Sequence, residues 1–254
     1  MIIQWFRQKH RAFILKHYPI DNSLWQQQMN APLFYGLSHD EQNRLRELTT
    51  VFLYRKYLNG VQGMQLSEAV AVAVASQACL LVLDLGLEYY NGWVEVIIYP
   101  GAFRVERDVM DASGLISHEN HMLGGESWLR GPVILAWDSA QSSHAGDNVV
   151  IHEFAHKLDM LNGAPNGMPP LNRGMDRRAW TDAFSTAFAR LNDMLDQHQT
   201  DTINPYAAES PAEFFAVCSE YFFTAPQQLL AQFPDVYRQL SLFYRQDPGQ
   251  RLYK

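Results

Sequence analysis

Apolar positions recur at helical spacing over residues 38–60, where Leu45, Leu48, Phe52 and Leu53 fall on one face. Ser38 followed by Glu41 reads as a capping box at the start of that helix, and Gly60 as its stop. Ser67 to Leu83 is alanine-rich and apolar nearly all round, the pattern of a helix central to a core. Two short runs carry strand character instead. Residues 94–99 (Val-Glu-Val-Ile-Ile-Tyr) stop at Pro100, and residues 132–137 (Pro-Val-Ile-Leu-Ala-Trp) lie between Gly131-Pro132 and Asp138-Ser139. A proline at the first strand position suits an edge strand or a strand start. His118 to Gly125 reads as a loop, and the chain turns helical again from Asp147. Short strands between helical blocks predict an α+β fold rather than a parallel βαβ array. The expected architecture is mainly helical, with a small mixed sheet and a helical N-terminal arm. No repeat or long linker breaks the pattern, so one domain over 1–254 is expected, with a helical part at 1–60 and the core at 61–254.

Composition narrows the class. The chain has 254 residues with 47% hydrophobic and 19% charged, which excludes wholesale disorder. The net charge of −7 argues against direct nucleic-acid binding through a broad basic field. Two cysteines, Cys79 and Cys218, give neither a disulfide framework nor a cysteine-rich metal site, and fit a reducing compartment. The longest apolar stretch, Ala69 to Leu83, is broken by Ser76 and Gln77 and is too short to span a bilayer. The first residues run apolar and then basic, the reverse of a signal peptide. A cytoplasmic protein with no membrane partner is the expectation.

One motif carries chemistry: His152-Glu153-Phe154-Ala155-His156, an H-E-x-x-H. On a helix, positions i and i+4 share a face, so both imidazoles reach one ion, and Glu153 stands where it takes a proton from water at the open position. Its apolar flanks predict a buried helix capped by Asp147 or Asn148. Three polar residues on a buried helix need partners, and one zinc ion per chain supplies one. A third protein ligand is required. The segment 210–223 opens with Ser210 and Pro211, then runs apolar around two acids, Glu213 and Glu220, seven apart on one face. Ser210 and Glu213 also form a capping-box pattern, so spacing alone divides the ligand role between Glu213 and Glu220. Asp159, on the first helix, suits a partner to a ligand imidazole. Tyr206, in Asn204-Pro205-Tyr206, is placed either to donate to an oxyanion or to anchor a loop.

These segments together resemble the Mlc titration factor A family of bacterial zinc metallopeptidases. The likeness is carried by Leu-Glu-Tyr-Tyr-Asn-Gly (87–92), Val-Ile-Ile-Tyr-Pro (96–100), Gly-Gly-Glu-Ser-Trp (124–128), Gly-Pro-Val-Ile-Leu-Ala-Trp (131–137) and Ile-His-Glu-Phe-Ala-His-Lys-Leu-Asp (151–159). It continues through Tyr-Ala-Ala-Glu-Ser-Pro-Ala-Glu-Phe-Phe-Ala-Val (206–217) and Ser-Glu-Tyr-Phe-Phe (219–223). The core is also similar to the anthrax lethal factor protease domain. The resemblance implies a zincin-like, gluzincin-type domain with His152, His156 and Glu213 as metal ligands, Glu153 as general base and Tyr206 facing the metal. Glu220 then falls to a supporting role. It implies an aminopeptidase-like activity on peptide substrates, and binding and inactivation of the glucose-system transcriptional repressor Mlc. The alternative is a protein that sequesters the repressor without catalysis, its zinc site vestigial or regulatory.

Overall fold

The structure is a computed structural model that describes residues 2–101, 103–110, 116–123, 125–127, 131–140, 146–199 and 203–251. Helices α1 (Ile2–His17), α2 (Asn22–Met29) and α3 (His39–Arg55) lead into strand β1 (Tyr57–Gly60). Helix α4 (Glu68–Leu81) follows, then strands β2 (Glu95–Tyr99), β3 (Phe103–Met110), β4 (Ile116–Leu123), β5 (Gly125–Ser127) and β6 (Val133–Ala136). The rest is helical: α5 (Trp137–Ala140), α6 (Val149–Asp159), α7 (Arg177–Asp196), α8 (Pro211–Thr224), α9 (Pro226–Gln232), α10 (Pro234–Tyr244) and α11 (Pro248–Arg251). The mainly helical α+β class expected from sequence is what the chain adopts.

The helix expected over 38–60 ends five residues early. Ser38 and Glu41 form a complete capping box at its start, but Lys56 turns extended and residues 57–60 become β1. The cause is tertiary. The Lys56 ammonium donates to the carbonyls of Tyr90 and Trp93 and sits 3.7 Å over the Trp93 ring, while the Tyr57 N–H bonds the Val94 carbonyl. Gly60 does punctuate an element, though a strand: a Cβ there would meet the Met64 carbonyl oxygen at 2.3 Å.

The sheet order is β1-β2-β6-β5, with β1, β2 and β6 parallel and β5 antiparallel to β6. The sheet is small and mixed, as expected, although β1–α4–β2 is one parallel crossover inside it. Both strands foreseen from sequence, β2 and β6, are interior; the edges are β1 and β5. Pro132 therefore marks a strand start, not an edge. The loop expected at 118–125 is also corrected. His118 to Leu123 lies in β4, paired antiparallel with β3 from Phe103↔Leu123 to Met110↔Ile116, and Gly125 begins β5. Polar residues dominate His118 to Asn120, so composition concealed a strand whose pairing lies outside the main sheet. Gly124 and Trp128, in the motif at 124–128, lie outside the described residues.

Helix α4 is the axis expected from its composition. Val72 and the run Val74 to Leu83 are buried, and α4 packs between α3 and α6. One contiguous core runs from Ile20 to Tyr244 and encloses α6 and α8 together. That pairing brings the two chemistry-bearing helices face to face.

Candidate metal centre

Helix α6 is held on both sides. Asn148 caps it, accepting the Ile151 N–H at 2.9 Å through its side-chain oxygen. Val150, Ile151, Phe154, Ala155 and Leu158 are buried. Phe154 sits in an aromatic cluster with Phe52, Tyr90 and Trp93, at ring distances of 5.2–5.9 Å. That packing fixes the helix's rotation, so His152 and His156 point together toward α8. Their Nε2 atoms are 3.2 Å apart.

Glu213 completes the group from the first turn of α8. Its Oε2 lies 2.9 Å from His152 Nε2 and 3.3 Å from His156 Nε2. In space the carboxylate leaves the capping position for the two imidazoles. The Ser210 hydroxyl still accepts the Glu213 N–H at 3.1 Å, but the carboxylate turns to the histidines. Among the described residues these three form a cluster able to hold a metal ion. The triangle of 2.9, 3.2 and 3.3 Å fits a tetrahedral divalent ion, whose ligand atoms at bonds of about 2.1 Å stand about 3.4 Å apart.

Glu220 does not join that triangle. One turn-pair further along α8, its Oε1 pairs with His152 Nδ1 at 2.7 Å, on the side of the ring away from the cluster that Nε2 faces. Its other oxygen accepts the Asn148 N–H at 2.5 Å, and the Asn148 side-chain amide donates to Gln77 Oε1 at 2.8 Å. Gln77 belongs to α4, so the core helix braces the ligand through two intermediates. Asn148 was legible only as a helix cap, and Gln77 carried no sequence signal.

Electrostatics favour a cation here. Burial pushes the Glu213 carboxyl up, but hydrogen bonds from His152 and His156 outweigh it and hold the group well below the usual carboxylate range. Burial opposes a charge on His152, yet Glu213 and Glu220, with the nearby Glu153 charge, raise its pKa well above the ordinary value. Burial lifts the Glu220 carboxyl despite its bond to His152. The group draws positive charge, which a metal ion supplies in place of a proton.

Glu153 is buried beside the cluster, and its charge acts on both His152 and Lys157. Asp159 is fully buried. Its Oδ2 accepts the Asn166 and Gly167 N–H groups at 2.8 and 2.7 Å, fastening the 162–168 loop to the end of α6. Gly167, at φ +77°, lets that loop touch α8: a Cβ there would meet the Pro211 carbonyl oxygen at 2.4 Å. Asp159 Oδ1 and His156 Nδ1 are both buried without a hydrogen bond, and a charge on His156 acts on the aspartate. Tyr206 is 45% exposed at the rim, its ring centroid 5.9 Å from that of His152. A short 3-10 turn holds it: Asn204 Oδ1 accepts the Tyr206 N–H at 3.0 Å. The Tyr221 hydroxyl accepts the Asn204 N–H at 3.1 Å. Tyr221 reaches this position only because Gly146 has no Cβ, which would fall 2.1 Å from its ring.

Comparison with known proteins agrees with this geometry. The sequence profile of the family described as glucose-regulated metallo-peptidase M90 matches residues 3–245. The chain belongs to that family. Among curated relatives, a protein of Yersinia enterocolitica named Mlc titration factor A is 41% identical over 233 residues, covering 90% of this chain and 87% of its own. Namesakes from Salmonella arizonae and Cronobacter sakazakii are 41% and 40% identical, covering 90% of this chain and 93% and 88% of their own. The M90 match spans α1 through α10, so the helical arm, the sheet and the His/His/Glu cluster all lie within family sequence.

Proposed function

We propose that the protein is a zinc-dependent peptidase, with His152, His156 and Glu213 as ligands. The observation that carries this reading is the three-atom triangle of two imidazole nitrogens and one carboxylate oxygen, with Glu220 paired to the other nitrogen of His152. Imidazole and carboxylate donors with one open position suit zinc. When bound, zinc would polarise the substrate carbonyl and acidify the attacking water.

The chain's own residues do the rest. Glu153 takes the water's proton and returns it to the leaving amine. The Tyr206 hydroxyl donates to the oxyanion as the carbonyl becomes tetrahedral. Asp159 supports His156 through charge alone, from its buried place at the end of α6. Strand β5, the sheet edge that packs against α6, receives an extended peptide by strand addition. An aminopeptidase-like mode is the reading we favour, by likeness to the family.

The name of the relatives supports a link to Mlc; we infer from it a second role on the same chain, binding and inactivation of that repressor in the cytoplasm. The net charge of −7 suits a partner with a basic DNA-binding surface. The Glu153→Gln variant tests the enzyme: zinc content should stay while turnover of a chromogenic aminoacyl substrate falls about 10²–10⁴-fold. Full activity in that variant would remove Glu153 as the base. Repressor binding by the same variant and by chelated protein separates the roles. Binding that survives both, with no turnover by the native chain, would favour sequestration without catalysis.

A further inference from the structure

Helix α1 is sparsely covered by the rest of the fold. From Trp5 to His17 only Ile14 is buried, and Trp5, Phe6 and Phe13 are 53%, 60% and 48% exposed. Trp5, Lys9, Phe13 and Lys16 follow one another at spacings of four, four and three, so they form one stripe, with Phe6 beside it. Lys9 lies 5.6 Å over the Trp5 ring. The aromatic surface continues onto α3 through Tyr18 and Tyr54, whose rings are 4.9 Å apart.

Charge sets this element apart. Residues 1–20 contain Arg7, Lys9, Arg11 and Lys16 and no acid, while the other 234 residues hold 16 basic and 27 acidic side chains. Arg11 pairs with Glu47 at 2.8 Å and pins α1 to α3. Arg7, Lys9 and Lys16 have no acidic partner among the described residues. Exposed aromatic rings interleaved with cations are the pattern of a helix that lies in a bilayer interface, rings among the acyl boundary and cations at anionic headgroups.

We propose that α1 docks the protein reversibly on anionic membrane surfaces through Trp5, Lys9, Phe13 and Lys16. The occupant follows from the chemistry of the stripe. A second copy docking stripe on stripe would set Lys9 and Lys16 against their like. A nucleic acid would pair the cations yet leave Phe6 and Phe13 in water. The acidic remainder of the chain is repelled by an anionic surface, which confines contact to this face. Absence of a spanning helix does not bear on it, because a surface helix needs no span. The inference stands apart from the metal site.

The test is sedimentation of the full chain with vesicles of phosphatidylcholine alone, or of equal parts phosphatidylcholine and phosphatidylglycerol. Binding should be at least about tenfold stronger on the anionic vesicles and should fall in about 0.5 M salt. Lys9→Glu with Lys16→Glu should cost at least about tenfold. Phe6→Ala with Phe13→Ala should weaken binding while Tm and far-UV circular dichroism stay at the native values, showing an intact fold. Equal binding to both vesicles, or none, overturns the proposal. So does salt-insensitive sedimentation without lipid, which points to a second copy. Binding to heparin as tight as to vesicles and indifferent to Phe6→Ala and Phe13→Ala overturns it in favour of a polyanion.

Discussion

At the start of α3, Ser38 and Glu41 close a reciprocal pair: the serine hydroxyl accepts the Glu41 N–H, and the Glu41 carboxylate accepts the Ser38 N–H at 2.8 Å. At the start of α8, Ser210 and Glu213 stand at the same spacing, and only the first half forms. The difference lies in what each glutamate meets. Glu41 faces Ser38, with the Arg251 guanidinium 3.6 Å away. Glu213 faces two imidazoles presented by a neighbouring helix at 2.9 and 3.3 Å. Hydrogen bonds between charged groups are worth about 1.5–3 kcal/mol, against about 1 kcal/mol for a cap. A local signature is therefore outcompeted when tertiary packing delivers a stronger partner.

The largest effect should come from removing that partner. Glu213→Ala should bring the zinc content of dialysed protein from one ion per chain toward none, with activity lost alongside. Glu41→Ala should leave zinc content unchanged and lower unfolding free energy by about 1 kcal/mol. Equal zinc content in the two variants would return Glu213 to the role of a cap.

Glu220→Gln asks how much the support behind the ligand contributes. Glu220 both pairs with His152 Nδ1 and accepts the Asn148 N–H, so an amide cannot satisfy both as the carboxylate does. Zinc affinity should fall about 10–100-fold, read by competition with a chromophoric chelator. An unchanged affinity would mean that His152 is oriented by packing alone.

A smaller effect is set by pH. Burial resists a charge on His152, but Glu213 and Glu220 raise its pKa above the unfolded value. In metal-free protein that stabilisation is full below the unfolded pKa and is lost as pH rises through the folded one. Zinc must displace this proton, so its apparent affinity should climb about tenfold per pH unit while His152 remains protonated. Zinc should accordingly raise Tm more at pH 8 than at pH 6. In metal-free Glu213→Ala, where one of the two raising groups is gone, the dependence of Tm on pH should be shallower than in the native chain.

The same logic separates what the sequence discloses from what it hides. The H-E-x-x-H spacing, the core helix at 67–83 and the Ser210-Pro211 start follow local rules, and the structure keeps them. Where a distant partner decides, local reading stops short. Lys56 ends α3 because the Tyr90 and Trp93 carbonyls and the Trp93 ring lie across the core. Strand β4 exists because β3 pairs with it. Gln77 braces the metal centre across 71 residues of chain, and Gly146 matters only because Tyr221 must pass. Between Glu213 and Glu220, periodicity put both acids on one face; only the approach of α6 shows which of them meets both imidazoles and which meets His152 alone.

The serines give the finest distinction. Ser38→Ala removes one accepted and one donated bond to Glu41, but the Ser38 N–H keeps its carboxylate. The cost should be about 1 kcal/mol, the same with or without zinc. Ser210→Ala removes the side-chain bond between the cap and Glu213, at a residue whose backbone sets where the carboxylate begins. Its cost should also be about 1 kcal/mol in metal-free protein, but larger with zinc bound, because a loosened first turn weakens the ligand as well as the helix. Chemical denaturation of both variants with and without zinc reads the two differences. If Ser210→Ala costs the same in both states, the half-formed box is only a helix cap, and Glu213 reaches the histidines without its help.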